Sequence, residues 1–352
     1  MANDVVIVSA GMMTAVGLSA AETAASVRSA TMRFAETEIR DKQAEPVTLA
    51  EVPDEGMADL AAELDELPLT SRERRMLRLG AGPLRECLES LPGSENPPRL
   101  MLALPESETM RPLDGPAFLE RFASQVGGLF DSRRSDASFR GRAGGLLAAG
   151  RAADLIRAGQ AGFVLAGGID TYRDPDVLGA LDMEGRLKSV ANLDGFIPGE
   201  GAAFLLLASR QTAAAAGLTP LAALSSVAEA VENGHLYSEE PYRGEGLATC
   251  LQNLIASGST NGAIGEVYSS MNGESHWAKE WGVAFLRNAS AFVSEHGMHH
   301  PADCYGDTGG ASGPLMVGIA AIGISEGYRA GPCLVYGSSD RGRRAALTLS
   351  KA

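Results

Sequence analysis

The sequence predicts an α/β protein built from two similar halves, and three observations carry that reading. The first is the stretch from Phe139 to Asp170, where a helix lined by Ala143, Gly144, Gly145, Ala148, Ala149 and Gly150 feeds the apolar run Gly162 to Ala166. Glycine lowers helix propensity, so such a helix makes sense where neighbouring backbone packs very close, and it is predicted to be buried. The second is the run itself. It shows no polar/apolar alternation, the pattern of a strand covered on both faces, and it is read as ending at Gly167-Gly168. The third is repetition. Tyr305 to Tyr336 again holds a Gly/Ala-rich helix, then Gly331 and a core strand from Cys333 to Tyr336. Two such units point to an internal duplication with paired central helices. The Ala-rich joint at Gln211 to Thr219 gives the halves 1–209 and 210–352.

Composition narrows the class. The 352 residues are 45% hydrophobic, enough for a large core, and 30 basic against 44 acidic side chains leave a formal charge of −14. That charge disfavours nonspecific binding to nucleic acid or anionic lipid. Cys87, Cys250, Cys304 and Cys333 are scattered without a C-x-x-C spacing, which argues against a disulfide framework or a zinc knuckle and fits a reducing cytoplasm. No signal peptide or membrane span is read, and no cofactor or metal is expected.

The elements follow in order. Val5 to Ser9 reads as a strand and Gly11 to Thr14 as a Gly-rich turn; Ser19 with Glu22 forms a capping-box pattern opening a helix to about Ala30. The carboxylates Glu51, Asp54, Glu55 and Glu66 read as a solvated face. Ser71 to Leu91 is helical, and Pro83 predicts a kink or a division. Its start carries Arg72, Arg74, Arg75 and Arg78, either an exposed amphipathic end or a docking patch for an acidic partner. Leu100 to Leu104 reads as a strand, Pro116 to Phe130 as a helix, and Asp170 to Leu193 as loop. In Gly195 to Leu207, Glu200 is a charge beside a core strand, so it is either an acceptor for loop amides or a site carboxylate. Leu221 to Glu229 suggests a strand, Gly244 to Ser257 a helix, and Gly265 to Ser269 a strand running into Met271-Asn272-Gly273-Glu274.

Five segments in this order resemble the β-ketoacyl synthases of the thiolase superfamily. They are VVIVSAGMMTAVGLSAAET, RRMLRLGAGPLRECL, GRAGGLLAAGRAADLIRAGQAGFVLAGGID, LDGFIPGEGAAFLLL and GDTGGASGPLMVGIAAI. The resemblance implies a thiolase fold, five-layered αβαβα with mixed sheets. It also implies an activity in which a cysteine at the N-terminus of the buried helix takes an acyl group from a thioester and two histidines assist decarboxylation and condensation. A helix N-terminus lowers a thiol pKa and offers amides to an oxyanion, which suits that position. This chain departs from the pattern at each place. The nucleophile position falls on Arg142, the first histidine near Asn272, the second on Asp307, and the usual lysine near Ala302. Arginine stays protonated and cannot attack a thioester.

Arg142, Asn272, Glu274 and Asp307 are therefore expected to face one another, with Arg142 paired to Asp307 or Glu274 in place of a reaction centre. The alternative reading of Asn272-Gly273-Glu274 is a cap for the next helix. Cys304, with His299 and His300 upstream, is the place for a rearranged thiol or a weak metal site, although the spacing matches no helical zinc motif. Two function classes follow. One is a non-catalytic partner subunit or adaptor, as with chain-length factors. Degenerate proteins with an Asn-Gly-Glu turn also resemble thiolase-like components that accompany type VI secretion cargo. The other is an acyl-thioester enzyme with shifted residues, or a binder of acyl carrier protein. The resemblance further implies a homodimer, or a heterodimer with a related ketosynthase-like chain, joined through the strand Gly162 to Ala166.

Overall fold

In the computed structural model, which describes residues 4–91, 97–106, 113–260 and 262–352, the two glycine-lined helices face each other at the centre of the molecule. The first part of the chain forms β1 (Val5–Thr14), α1 (Ala20–Arg28), β2 (Ala35–Arg40), β3 (Pro46–Leu49), α2 (Ala62–Asp65), α3 (Ser71–Leu88), β4 (Arg99–Leu104), α4 (Gly115–Gln125), β5 (Asp136–Phe139), α5 (Gly141–Arg157), β6 (Phe163–Thr171), α6 (Pro175–Met183) and β7 (Glu200–Ser209). The remainder forms α7 (Arg210–Ala215), β8 (Ala222–Leu224), β9 (Ala228–Val231), α8 (Glu245–Ala256), β10 (Ile264–Ser269), α9 (Ser275–Asn288), β11 (Phe292–His299), α10 (Ala302–Tyr305), α11 (Ser312–Ser325), β12 (Cys333–Ser338) and β13 (Arg343–Ser350).

Helices α5 and α11 make the middle layer. A Cβ on Gly145 would stand 2.0 Å from Pro314 Cδ, and one on Gly313 would stand 3.0 Å from the Leu146 amide nitrogen, so glycine is what lets the helices close. The strands run β11-β10-β12-β13-β8-β1-β7-β6-β4-β5, with β9 also on β13. The short β8 joins the β10–β13 group to the β1–β7 group by pairing with both β13 and β1. The two groups cover opposite sides of the central helices, while α3 and α4 pack outside one and α8 and α9 outside the other. This is the five-layered α/β/α/β/α arrangement, and parallel β4, β5 and β6 beside antiparallel β1 and β7 make its sheet mixed. No helix among the described residues is long and apolar enough to cross a membrane.

Tertiary packing overrides several local readings. Gly11 to Thr14 is not a turn but the second half of β1; a Cβ on Gly11 would lie 1.9 Å from the Pro83 carbonyl oxygen, so this glycine serves the approach of α3. Pro83 accordingly neither ends nor divides α3, which is continuous and buries that face on β1 and β7. The strand β6 runs through Gly167-Gly168 to Thr171, because those glycines make room for Phe204 and for the Gly310 carbonyl. The helix from Pro116 stops at Gln125, and Gly127 and Gly128 beyond it have φ of 68° and 77°. The loop after Asp170 contains α6, capped by Asp174, which accepts from the Asp176 and Val177 amides. The run Leu221 to Glu229 splits into β8 and β9, which pair with different halves of β13. Nor is β6 open for pairing with a second chain: β4 and β7 occupy both its edges, and among the described residues the free edge at this end of the sheet belongs to β5.

Candidate functional site

Arg142 is the second residue of α5 and 2% exposed. Its Nε donates to Asp307 Oδ2 at 2.7 Å and its Nη1 to Asp340 Oδ1 at 2.6 Å, while Trp277 lies under the guanidinium with its ring centre 5.0 Å away. Asn272 Nδ2 donates to the same Asp307 oxygen at 2.8 Å and to Glu274 at 3.1 Å. Glu274 does not pair with Arg142. It takes a two-pronged bond from Arg186, 2.8 Å on each oxygen, and a third from Trp277 Nε1. Arg186 also donates to Asp340 at 2.7 Å, so one aspartate bridges two buried arginines.

The backbone places these groups for local reasons. Gly306 and Gly309, with φ of 72° and 48°, shape the turn holding Asp307, whose Oδ1 accepts the Gly309 amide. Gly273 at φ 108° turns the chain between Asn272 and Glu274; Glu274 is also the cap position of α9, but its side chain makes no capping bond and is spent on Arg186 instead. Electrostatics follow from the geometry. Burial by itself lowers the pKa of Arg142, but Asp307 and Asp340 outweigh it and hold the guanidinium well above its ordinary value. Burial likewise raises Asp340, and Arg142 with Arg186 overcomes it, leaving that carboxyl well below the usual range. Arg142, Arg186 and Asp340 therefore keep their charges near neutrality.

A cavity of about 190 Å³ opens beside Arg142, Arg186 and Asp340, walled on one side by Val177, Ala180 and Leu181. Tyr237 also lines it: the hydroxyl donates to Glu184 at 2.6 Å and accepts from Arg186 at 3.0 Å, with Arg341 4.5 Å above the ring. Glu106 also lines the cavity and accepts the Asp340 and Arg341 amides at 3.2 and 3.3 Å. Burial, then the charge of Asp340, push its carboxyl up to about 7. A raised carboxyl pKa means the folded state holds the proton more tightly than the unfolded chain. The contribution of Glu106 to stability is then fully present below about 4.5 and is lost as pH rises toward 7. We expect Glu106→Gln to flatten that decline, measured as the difference in urea midpoint between pH 5 and pH 7.5. Equal slopes for the two proteins would show that Glu106 is not the group responsible.

The remaining candidates lie elsewhere. Glu200 does not line the cavity. It accepts from Arg75 Nε at 2.6 Å, Thr171 Oγ1 at 2.7 Å and the Val52 amide at 2.8 Å, the structural acceptor of the two readings. That contact corrects the docking patch as well, because Arg75 and Arg72 are buried, the latter on Asp170 at 2.9 Å, and Arg74 and Arg78 meet Asp65 and Asp54. Cys304 belongs to the central core, where burial pushes its thiol up to about 11; Cys87, Cys250 and Cys333 are pushed to about 12. His299 bonds Glu266 and His300 bonds Ser269, and among the described residues no group of three or more His, Cys, Asp or Glu could hold a metal ion. Arg186, Asp340 and Glu106 were missed. Asp340 lies just past the core strand Cys333 to Tyr336, and Arg186 sits in a stretch read as loop.

With this geometry in place, the sequence model of the β-ketoacyl synthase N-terminal domain matches residues 142–213, starting at Arg142. Solved structures match over the whole chain. The ishigamide ketosynthase/chain length factor aligns with a TM-score of 0.80 at 16% identity, covering 99% of each chain. A type II polyketide acyl-carrier protein in complex with its ketosynthase bound to the hexaketide gives 0.79 at 16% over 100% of each. The ketosynthase from module 1 of the bacillaene synthase of Bacillus amyloliquefaciens gives 0.78 at 12%, over 99% of this chain and 76% of that one. No curated protein sequence matches. The chain therefore has the fold of these ketosynthases, and its residues 142–213 are similar to the N-terminal domain of the β-ketoacyl synthases.

Proposed function

We propose that this chain is a non-catalytic ketosynthase-like subunit that works by association with another protein. The observation that carries the reading is Arg142. At the helix start where the family resemblance puts the nucleophilic cysteine, a guanidinium is locked between Asp307 and Asp340. It cannot lose a proton to attack a thioester, and the four thiols are buried with raised pKa values, so none is a ready nucleophile. Two of the similar structures are a ketosynthase/chain length factor and a ketosynthase with its acyl-carrier protein, which supports a partner of that kind. The open edge of β5 is the place for a second ketosynthase-like chain, identical or related, to extend the sheet.

The test is intact-protein mass after incubation with acyl-CoA and acyl-carrier-protein thioesters, with light scattering on the same sample. We expect no acyl adduct and a particle heavier than the 36.6 kDa chain, alone or with an added ketosynthase. An adduct on any cysteine would overturn the non-catalytic reading. A monomer under both conditions would remove the association.

A further inference from the structure

Far from Arg142, the seam where β1, β8 and β13 meet carries a second concavity of about 380 Å³. Its chemistry is opposite to that of the protein as a whole. Arg157 at the end of α5, Arg210 at the start of α7 and Lys351 after β13 line it, and the acid in its lining is Asp4. Arg157 has one further acid, Asp154 at 3.2 Å, which is largely solvated. Among the described residues, the Arg210 guanidinium and the Lys351 ammonium have no acid partner within ion-pair distance, in a chain whose formal charge is −14. At physiological salt the screening length is about 8 Å, so this local surplus of cations, not the net charge, sets the field that a ligand meets in the pocket.

The donors are arranged as well as charged. Thr348 and Ser225 are spent internally: the Thr348 hydroxyl donates to the Ser259 carbonyl and its amide to the Ser225 hydroxyl, each at 2.8 Å, which fixes the floor. Ser226 and Ser350 line the same space, and among the described residues their hydroxyls make no internal bond. Arg157 is anchored by its Nη2 on the Ser225 carbonyl at 3.3 Å, so its guanidinium is held at the rim in one orientation. Two forked guanidiniums, an ammonium and two hydroxyls around one polar concavity form a donor-rich set suited to a tetrahedral oxyanion.

We infer that this pocket binds a phosphate group, the monoester of a small soluble metabolite, on Arg157, Arg210 and Lys351. A bare phosphate leaves most of the volume unfilled, and the hydroxyl-bearing walls favour a polar body over an acyl chain. The site is separate from the cavity at Arg142 and its occupancy does not depend on any acyl chemistry there.

The experiment is isothermal titration of the whole protein with inorganic phosphate and with glycerol 3-phosphate, at constant ionic strength set with chloride. We expect saturable binding with a Kd below about 1 mM, tighter for the monoester, where 1 mM corresponds to about 4 kcal/mol. Arg210→Ala, whose side chain makes no internal bond among the described residues, should weaken binding at least tenfold while the circular dichroism and thermal midpoint stay at wild-type values. Arg28→Ala, remote on α1, should bind as wild type. No saturable binding to the wild-type protein below 10 mM would overturn the proposal, as would affinity unchanged in an Arg157→Gln/Arg210→Ala double variant. Loss of binding in Arg28→Ala equal to that in Arg210→Ala would also overturn it, by showing a diffuse charge effect.

Discussion

Replacing Arg142 with alanine should cost about 3–5 kcal/mol of folding stability, because it strands the carboxylate of Asp307 in the interior. Asp307 is 2% exposed and loses its cation outright, keeping only Asn272 and the Gly309 amide; Asp340 keeps Arg186. The same physics sets the sign of a second substitution. Exchanging Arg142 for methionine and Asp307 for asparagine together removes cation and anion at once, and the double variant should be more stable than Arg142→Met alone. Urea denaturation of the four proteins of the cycle measures the coupling directly. A loss below about 1 kcal/mol for Arg142→Ala would mean that water reaches Asp307, and the locked arginine could no longer be held responsible for closing the old reaction centre.

The next largest effect is steric. Gly145→Ala places a methyl 2.0 Å from Cδ and 2.6 Å from Cγ of Pro314, a ring that cannot swing away as a flexible side chain can. Either α5 and α11 separate or one of them bends, and overpacking of this kind costs roughly 1–3 kcal/mol, more where backbone must move. Gly179→Ala is the control, since nothing lies within 4 Å of that site and alanine is the better helix former. We expect the first to lower the thermal midpoint by several degrees and the second to hold or raise it. Equal midpoints would show that the central helices are not closely engaged.

The contrast between these glycines explains what could be read from the sequence. The clusters in α5 and α11 announced two buried helices, since glycine at that density in a helix is explained by close packing; the repeat implied that they pair, and the five layers were what the family resemblance implied. Gly11, Gly167 and Gly168 misled because a glycine that admits a neighbour and a glycine that makes a turn are the same letter; what distinguishes them is Pro83, Phe204 or Gly310 on another part of the chain. The site divided along the same line. Arg142, Asn272, Glu274 and Asp307 could be expected together, because each stood out in a segment with a recognisable outline. The partner chosen by each charge could not. Glu274 goes to Arg186, 88 positions away, and the second partner of Arg142 is Asp340, 198 positions away, pairings that depend on how three loops meet. The arginines of α3 showed the same blindness, since a basic run looks solvated until the acids that bury it are brought alongside.

The short strand β8 also governs time. Val5 to Ile7 pair with Ala222 to Leu224, and β1 pairs along its length with β7, so among the described residues β1 has no strand partner until β7 has been made. The last strand then meets the other side of β8 at Leu349 and Ser350. A topology dominated by such distant pairings folds slowly, and until β7 is made the backbone edges of β1 have no strand to pair with. The interval before β8 emerges from the ribosome is thus when this protein most needs a chaperone, and truncation before residue 222 should yield a chain that aggregates rather than a half that stands alone.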